Sequence, residues 1–352
     1  MDKSINADSI NVINRLGKKV EVFDEKIILI TGCYGFLGKQ FIHFFSNLVE
    51  LHSLNVKIIA IDNHIRGREN SLINYFSNKS YFNYIESNIN TQKEFYDVDY
   101  VIHLASIASP IFYRKYPIQT LDANVTGYRN LLDYYKNKEI KSFLYFSTSE
   151  IYGDPHPDYI PTKETYRGNV SCIGPRACYD ESKRLGETMS VLFFQEHKIP
   201  IKISRPFNNY GPGLSINDKR VIPDFFKDIL SGNDISLFSD GNATRTFCYT
   251  EDAIYGYILL LLSDHNAEPF NIGNEHPEIS IAELAKKCID ISGKKNIKVI
   301  KKKNSDKNYN IDNPQRRCPD ITKAKQLLHF SPEISLDNGL QRSFRYYCDQ
   351  IK

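Results

Sequence analysis

Two residues of this sequence, Tyr179 and Lys183, have the types and the spacing that proton transfer requires. They are four residues apart, so on a helix their side chains lie on the same face. A phenol titrates near ~10 in water, and a neighbouring ammonium group favours the phenolate. The pair therefore predicts that Lys183 lowers the pKa of Tyr179, which then accepts a proton near neutral pH. Such pairs also occur by chance, so this prediction depends on the surrounding residues.

A glycine-rich turn supplies a cofactor for such chemistry. Segment 32–38 has glycine at its first, fourth and last positions, directly after an apolar stretch and before an apolar-periodic one. This order of strand, turn and helix binds the pyrophosphate of a dinucleotide at the helix N-terminus. Asp62 lies 24 residues beyond the turn, at the end of the next predicted strand. A carboxylate there accepts hydrogen bonds from the ribose hydroxyls and repels a 2′-phosphate, which favours NAD over NADP. Arg66 and Arg68 follow and would weaken that preference.

A polar segment, Thr148, Ser149 and Glu150, follows the fifth predicted strand. The hydroxyl of Thr148 can bind the same substrate oxygen that Tyr179 deprotonates, and Glu150 adds an ionisable group. Turns at strand ends commonly carry such residues without any function.

Polar and basic residues in the second half of the chain form a further candidate set. Their guanidinium groups suit phosphate or carboxylate recognition, although single arginines usually lie on the surface. The set comprises Arg205, Asn208, Arg220, Arg245 and Arg317.

The elements that position these residues alternate along the chain. Strands are predicted at residues 26–31, 56–61, 84–89, 99–104, 143–147 and 199–204, with helices between them, including 118–137 and one that carries Tyr179 to about residue 197. This alternation predicts an α/β fold, a doubly wound parallel Rossmann sheet with a smaller C-terminal α/β substrate-binding domain. Ligands bind such sheets at the carboxyl ends of the strands, where the motifs fall.

The domain boundaries follow from changes in composition. Residues 1–25 are predicted to be an N-terminal extension with a short amphipathic helix that ends near Gly17. Residues 26–205, with a return segment at about 235–265, form the predicted NAD-binding domain. Residues 206–234 and 266–352 form the predicted substrate-binding domain.

Composition excludes several classes of function. The net charge of +3, from 45 basic and 42 acidic residues, indicates neither nucleic-acid nor membrane binding. The longest apolar run, residues 257–262, is too short to span a bilayer. Seven scattered cysteines favour a reducing cytoplasm, and neither they nor the nine histidines have the spacing of a metal site. The sequence also lacks the motifs of serine hydrolases and ATPases.

Taken together, these motifs resemble the extended short-chain dehydrogenase/reductases of the NAD-dependent epimerase/dehydratase family, most closely the UDP-glucuronate decarboxylases, also called UDP-xylose synthases. The resemblance covers roughly residue 26 to the C-terminus. Its most specific segment is Gly-Pro-Arg-Ala-Cys-Tyr-Asp-Glu at residues 174–181. Segments 103–105, 108–110, 124–127, 205–208, 210–212 and 317–320 also carry it.

The resemblance implies a role for each site residue. It assigns catalysis to Thr148, Glu150, Tyr179, Lys183 and Arg245. It assigns NAD binding to Gly32, Gly35, Phe36, Leu37, Gly38, Asp62, Asn63, Asn88, Ile89, Leu104, Ala105, Asn124, Tyr179 and Lys183. It assigns binding of the nucleotide sugar to Ser109, Tyr113, Ser149, Asn208, Arg220, Arg245 and Arg317. It also implies a homodimer that pairs through the helix after Asn124 and the helix of Tyr179.

The implied reaction is decarboxylation of a nucleotide-linked hexuronic acid, UDP-glucuronate to UDP-xylose. NAD oxidises C4, CO2 leaves, and the same cofactor reduces the ketone again. Arg245 is expected to grip the carboxylate. Ser149 stands where sugar 4,6-dehydratases commonly use an aspartate, which argues against dehydration. Departures at Cys33, Tyr34, Asn88 and Ala243 leave the base and the sugar open. A 4-epimerase, a 4,6-dehydratase and a non-catalytic dinucleotide-binding protein remain alternatives.

Overall fold

The computed structural model describes residues 2–302 and 311–351. Its strands are β1 Ile27–Thr31, β2 Lys57–Asp62, β3 Phe82–Glu86, β4 Tyr100–His103, β5 Ser142–Phe146, β6 Ile201–Pro206, β7 Asn209–Tyr210, β8 Ile235–Leu237, β9 Thr244–Arg245, β10 Cys248–Tyr249, β11 Pro269–Ile272, β12 Ile279–Ser280, β13 Val299–Lys301 and β14 Arg316–Arg317. Its helices are α1 Lys3–Leu16, α2 Phe36–His52, α3 Asn70–Ser77, α4 Pro110–Lys115, α5 Pro117–Asp122, α6 Tyr128–Tyr135, α7 Ala177–His197, α8 Val221–Leu230, α9 Thr250–Leu261, α10 Ile281–Ser292, α11 Thr322–Leu328 and α12 Leu336–Ile351.

The centre of the fold is a parallel sheet of seven strands in the order β3-β2-β1-β4-β5-β6-β11. The chain runs outward from β1 to β3, then returns to pair β4 with the other side of β1. The strand order therefore reverses at β1, and a crevice opens there at the carboxyl ends of the strands. The predicted doubly wound α/β sheet is confirmed.

Helices cover both faces of this sheet, because its strands are apolar on both sides. Along β1, Ile28 and Ile30 pack into the core shared with α2 and α9, whereas Leu29 packs into the opposite core, shared with α6 and α7. All three side chains are fully buried. This alternation fixes the strand and therefore the position of the turn that follows it.

Helix α1 agrees with the short helix predicted near the N-terminus. Asp2 begins it, since its carboxylate accepts hydrogen bonds from the amides of Ser4 and Ile5 at 3.0 and 3.1 Å, and Gly17 ends it with a φ of +54°. Its buried residues Val12 and Leu16 join the core beside α2 and α9. This helix is thus an integral part of the main core.

The predicted return segment differs from the structure. Strand β8 pairs with β13, apart from the large sheet, in a second core shared by α8, α10 and α12. The elements that return to the sheet are α9, which packs on β5 and β6, and β11, which pairs with β6. The boundary near residue 265 was placed too early because β11 was not recognised. Residues 303–310 and 352 of the predicted second domain lie outside the described residues.

Within the described residues, no helix has both the length and the apolar character that crossing a membrane would require.

Candidate active site

The glycine turn after β1 has the shape of a dinucleotide cradle. Gly32 has a φ of +70°, and a Cβ there would lie 2.7 Å from the backbone nitrogen of Ala105. A Cβ on Gly38 would lie 2.4 Å from the carbonyl oxygen of Gly32. Gly35 is less crowded, with that same oxygen 3.1 Å from its Cβ position. It precedes α2, whose first-turn amides, at residues 36–38, can bind an anion.

Asp62 ends β2 beside this turn. Its Oδ2 accepts a hydrogen bond from the amide of Tyr34 at 3.0 Å, and its Oδ1 accepts one from the amide of His64 at 2.8 Å. The ring of Tyr34 stacks on that of His64, with centroids 5.5 Å apart. These contacts hold the carboxylate in one orientation, with lone pairs left to accept ribose hydroxyls.

The two arginines after Asp62 are engaged elsewhere. Arg66 pairs with Asp218 at 2.8 Å, and Arg68 pairs with Glu86 at 2.6 Å. Since both guanidinium groups already have carboxylate partners, the expected weakening of the preference for NAD loses its support.

Three apolar residues assigned to the cofactor lie at strand ends. The amide of Leu104 donates to the carbonyl of Thr31 at 3.0 Å, which ties the end of β4 to the end of β1. Ala105 follows, half-buried, and Ile89 is buried in the loop after β3. All three therefore lie after strands of the large sheet, on the edge where the cradle opens.

Three asparagines assigned to the cofactor have different surroundings. Asn63 and Asn88 accept hydrogen bonds from amides two residues ahead, at 3.1 and 3.0 Å, and Asn88 is exposed. Asn124 is buried, and its Nδ2 donates to the hydroxyl of Ser182 at 2.8 Å. Its Oδ1 is buried with no hydrogen-bond partner among the described residues. An unsatisfied buried oxygen in this position suits a ligand that donates a hydrogen bond.

Helix α7 brings Tyr179 and Lys183 to the end of β5. The ammonium of Lys183 donates to the carbonyl of Phe146 at 2.7 Å and lies 6.0 Å from the ring centre of Tyr179. Both side chains are buried. Tyr179 also shares a hydrogen bond with the side chain of Thr148. The structure thus joins the three residues that were predicted to share one substrate oxygen.

The predicted pKa of the phenol requires correction. Burial raises the pKa of Tyr179 above its ordinary value, and the hydrogen bond with Thr148 opposes this only in part. Burial also lowers the pKa of Lys183 to about 7, so desolvation disfavours the charge of both groups. The prediction from spacing was wrong here because it neglected desolvation.

Tyr113 and Ser109 border the phenol from the loop and helix after β4. The rings of Tyr113 and Tyr179 stack with centroids 5.1 Å apart and planes 8° apart. Ser109 precedes α4, and its hydroxyl donates to the carbonyl of Asp218 at 3.0 Å. Tyr113 forms one wall of the site, while Ser109 is occupied by a protein contact.

Glu150 is the centre of an arginine cluster. It lies in the turn Ser149–Tyr152, which begins when the Thr148 hydroxyl accepts a hydrogen bond from the Glu150 amide at 3.2 Å. Arg317 donates to both carboxylate oxygens, at 2.7 and 2.5 Å, and Arg176 donates to Oε2. Ser149, at the start of this turn, is buried. The turn thereby places an ion cluster two residues from Thr148.

Electrostatics around Glu150 are strongly perturbed. Burial alone would raise the pKa of Glu150, but Arg176 and Arg317 lower it below the ordinary value. Asp180 lies 3.5 Å from Arg176, and burial, together with Glu150, raises its pKa. A polar cavity of about 380 Å³ is lined by Arg176 and Asp180, among others. Perturbed pKa values beside a cavity are typical of functional sites.

Arg245, on β9, is directed at the backbone. Its guanidinium donates to the carbonyls of Thr244, Gln315 and Pro314 at 2.8, 3.1 and 2.5 Å. Burial and the nearby charge of Arg317 lower its pKa. Its expected grip on a substrate carboxylate stays a prediction, because these carbonyls occupy the donors.

The other polar residues of the second half have separate surroundings. Asn208 donates to the carbonyl of Thr246 at 2.8 Å, and Arg220, which is partly exposed, lies 3.0 Å from Asp218.

Arg205 is structural. Its guanidinium donates to both carboxylate oxygens of Glu187 at 2.8 and 2.6 Å and to the hydroxyl of Tyr152 at 2.7 Å. Its grouping with the ligand-binding arginines was wrong, because a buried partner on α7 already occupies its fork.

Two residues of the site were missed in the sequence. Arg176 lies within the most specific motif, and its spacing of four residues from Asp180 on α7 was a usable signal. Asp218 had no signal, since its partners lie on distant segments.

Comparisons with known proteins agree with this geometry. The model of the NAD dependent epimerase/dehydratase family matches residues 28–273. UDP-glucuronic acid decarboxylase 1 of Arabidopsis thaliana is 37% identical over 327 residues, which are 92% of this chain and 70% of that protein. UDP-glucuronic acid decarboxylase 1 of Xenopus tropicalis is 35% identical over 332 residues, 94% of this chain and 74% of that protein.

A solved structure is also similar. The crystal structure of UDP-glucuronic acid 4-epimerase from Bacillus cereus, in complex with UDP-glucuronic acid and NAD, matches with a TM-score of 0.75 and 27% sequence identity. The match covers 93% of this chain and 100% of that chain. Similarity to both groups leaves the outcome after C4 oxidation as the question that the site must answer.

Proposed function

Since this chain belongs to the NAD dependent epimerase/dehydratase family, we propose that it decarboxylates a nucleotide-linked hexuronic acid, converting UDP-glucuronate to UDP-xylose. The observation that carries the proposal is the cluster of Arg176 and Arg317 on Glu150, two residues from Thr148. Two guanidinium groups on one carboxylate leave positive charge uncompensated, which suits the carboxylate of a uronic acid. The curated relatives of both organisms are decarboxylases of UDP-glucuronic acid by name.

The cofactor of this chain is NAD, which when bound accepts the hydride of a sugar carbon and later returns it. The glycine cradle of residues 32–38 fits its pyrophosphate, because a Cβ at the first or last glycine would collide with backbone. Asp62 would hold the ribose hydroxyls, and the unpartnered Oδ1 of Asn124 offers a further acceptor.

Tyr179 and Thr148 hold the proton of the sugar 4-hydroxyl in this proposal. Thr148 orients the phenol through their hydrogen bond, and the stacked ring of Tyr113 restricts its movement. The buried ammonium of Lys183 lies near enough to favour the phenolate once Tyr179 gives up its proton. An oxygen that carries negative charge at C4 would be stabilised by the same two hydroxyls.

The arginine cluster keeps the uronic carboxylate beside these hydroxyls. Loss of CO2 is favoured when a carboxylate lies one carbon from a carbonyl group, because the electrons left behind move to the carbonyl oxygen. Thr148 and Tyr179 would stabilise that oxygen, whereas Arg176 and Arg317 position the carboxylate. Arg245 is assigned to the same end of the sugar, and its engagement with carbonyls makes it the weakest of these assignments.

The second candidate is a 4-epimerase that uses the same proton-transfer residues. The similar Bacillus cereus enzyme, named for its action on UDP-glucuronic acid, favours this alternative. An epimerase has to release and rotate the keto sugar without losing CO2, so a carboxylate held by two arginines distinguishes the alternatives only through the product. A 4,6-dehydratase is disfavoured by Ser149, which cannot act as a carboxylic acid.

One product analysis separates these functions. The purified protein is incubated with NAD and a panel of nucleotide-linked uronic acids, and the products are identified by mass spectrometry and NMR. Loss of CO2 from UDP-glucuronate is the expected result. An unchanged mass with inverted C4 would establish epimerisation instead, and activity only on neutral nucleotide sugars would overturn the decarboxylase proposal. No reaction with any substrate, despite NAD binding, would favour a non-catalytic protein.

Tyr179→Phe is the catalytic variant for this assay. Removing the hydroxyl should reduce turnover by about 10²–10⁴-fold, since general acid–base catalysis contributes that much, while NAD binding persists. Tyr135→Phe is the matched control, because its hydroxyl donates only to the carbonyl of Tyr96, in a contact on α6. Full activity in Tyr179→Phe would contradict its role in proton transfer.

A cytoplasmic homodimer completes the proposal. Exposed apolar side chains on α5 and α7 support pairing of two copies through these helices: Ile118, Leu121, Leu185 and Leu192. All seven cysteines are free thiols, which supports a reducing compartment.

A further inference from the structure

Asp218 is a buried carboxylate between two arginines from distant parts of the chain. Its side chain is only 3% exposed. Arg66 lies 2.8 Å from its Oδ2, and Arg220 lies 3.0 Å from its Oδ1. A buried carboxylate depends on such partners, because its charge is poorly solvated.

The segments that meet at Asp218 belong to both halves of the proposed site. Arg66 lies in the loop after β2, four residues beyond Asp62, which is assigned to the cofactor ribose. Arg220, assigned to the nucleotide sugar, immediately precedes α8. The loop after β4 joins them, because Ser109 donates to the Asp218 carbonyl at 3.0 Å and the Phe112 ring lies 4.2 Å below the Arg66 guanidinium.

Sharing one carboxylate makes the two arginines interdependent. When an anionic diphosphate takes the charge of Arg220, Asp218 is compensated mainly by Arg66. Separating Arg66 from Asp218 then leaves a buried charge with less compensation, so the pair is harder to break. The loop after β2 is consequently held more firmly when the nucleotide sugar is bound.

We propose that Asp218 is a positioning residue that couples the two binding sites, so that a nucleoside diphosphate bound at Arg220 slows the release of NAD through the Arg66–Asp218 ion pair. The inference rests on the proposed function, since it requires both ligands. Coupling is reciprocal for equilibrium binding, so NAD tightens binding of the diphosphate by the same factor.

The test measures the rate at which NADH leaves the full-length protein, followed by its fluorescence after mixing with excess NAD, with and without saturating UDP. UDP is expected to slow release by about 5-fold or more in the unaltered protein, the lower range of typical coupling. In Arg66→Met the rates with and without UDP should agree. Arg66→Lys should restore part of the effect, because a lysine keeps the charge but loses the fork.

The matched control is Arg68→Met, which removes a guanidinium from the same loop but one that pairs with Glu86. Its UDP effect should equal that of the unaltered protein. Asp218→Asn should lose the effect as well, and the double variant Arg66→Met/Asp218→Asn should lose no more. If Asp218→Asn does not fold, the partly exposed Arg66 still provides the decisive variant.

Each outcome has a distinct meaning. A UDP effect that persists in Arg66→Met overturns the coupling but leaves decarboxylation untouched. Absence of a UDP effect in the unaltered protein, with UDP bound, has the same meaning. Failure of UDP to bind overturns both the coupling and the proposed substrate class.

Discussion

Burial of Lys183 is an energetic cost that the proton-transfer site maintains. The ammonium is buried and has a carbonyl partner in Phe146, and desolvation lowers its pKa from 10.5 to about 7. A group that is difficult to charge in the folded protein opposes folding whenever it is protonated. Active sites commonly keep such groups because their chemistry requires a shifted pKa.

Lys183→Met is therefore expected to stabilise the protein and abolish turnover. Below pH 7 the lysine is charged in both folded and unfolded chains, so the burial penalty is complete there. As pH rises from about 7 toward 10.5 the folded lysine is neutral while the unfolded one is still protonated, and the penalty disappears. The variant should be more stable by about 2 kcal/mol at pH 6, allowing for the lost hydrogen bond, and by less at pH 9.

Urea denaturation without added cofactor at the two pH values measures this difference. Lys57→Met is the control, because the Lys57 side chain is exposed. A stability difference for Lys183→Met that is the same at both pH values would contradict the shifted pKa.

At the scale of elements, the parts with strong local signals were predictable. Strand β1, the glycine turn and α2 were recognised because glycines interrupt two apolar segments with different periodicity. Strand β11 was missed since its four residues, beginning with Pro269, carry no alternation and no turn signal. Its place in the sheet depends on pairing with β6, a contact over a long sequence distance.

The site shows the same distinction. Tyr179 and Lys183 share one helix, so their proximity follows from spacing alone. The partners of Glu150 do not, because Arg317 is 167 residues away and reaches the cluster through β14. The pKa of Tyr179 was misjudged for a related reason, since burial depends on the elements packed around α7.

The ion pair between β6 and α7 is expected to be structural. Arg205→Met leaves Glu187 buried with the Ser147 hydroxyl as its remaining donor, and should destabilise the protein by about 3–5 kcal/mol. The double variant Arg205→Met/Glu187→Met should recover at least half of that loss, because no charge is left unpaired. Chemical denaturation of both variants measures the two effects. A stable single variant with weakened substrate binding would instead return Arg205 to the ligand-binding set.

Helix α1 is expected to contribute to the stability of the whole core. Ile13 is 1% exposed in the core beside α2, and Arg15 pairs with the buried Asp252 at 2.7 Å. Ile13→Ala should cost about 2–4 kcal/mol, as for other large-to-small changes in cores. Asn14→Ala, at an exposed position of the same helix, should change stability by less than about 0.5 kcal/mol. Equal effects of the two changes in thermal or urea unfolding would show that α1 does not join the cooperative unit.

For the whole molecule, the exposed apolar face on α5 and α7 has to be reconciled with a chain whose other surfaces are largely polar. Leu185 and Leu192 are seven residues apart on α7, so they lie on one side of it, and they are 45% and 53% exposed. Ile118 on α5 is 67% exposed. Apolar side chains grouped on adjacent helices are typical of an interface between copies.

Charge on this face should therefore separate the copies. Leu185→Asp/Leu192→Asp is expected to shift the mass measured by light scattering at micromolar concentration from dimer to monomer, because a buried, unpaired carboxylate strongly opposes association. Leu51→Asp is the matched control, since Leu51 is 55% exposed on α2 and away from this face. A monomeric mass for the unaltered protein, or a dimer that survives the double change, would contradict pairing through α5 and α7. Because α7 also carries Tyr179, a monomer with reduced turnover would show that pairing helps to hold the catalytic helix in place.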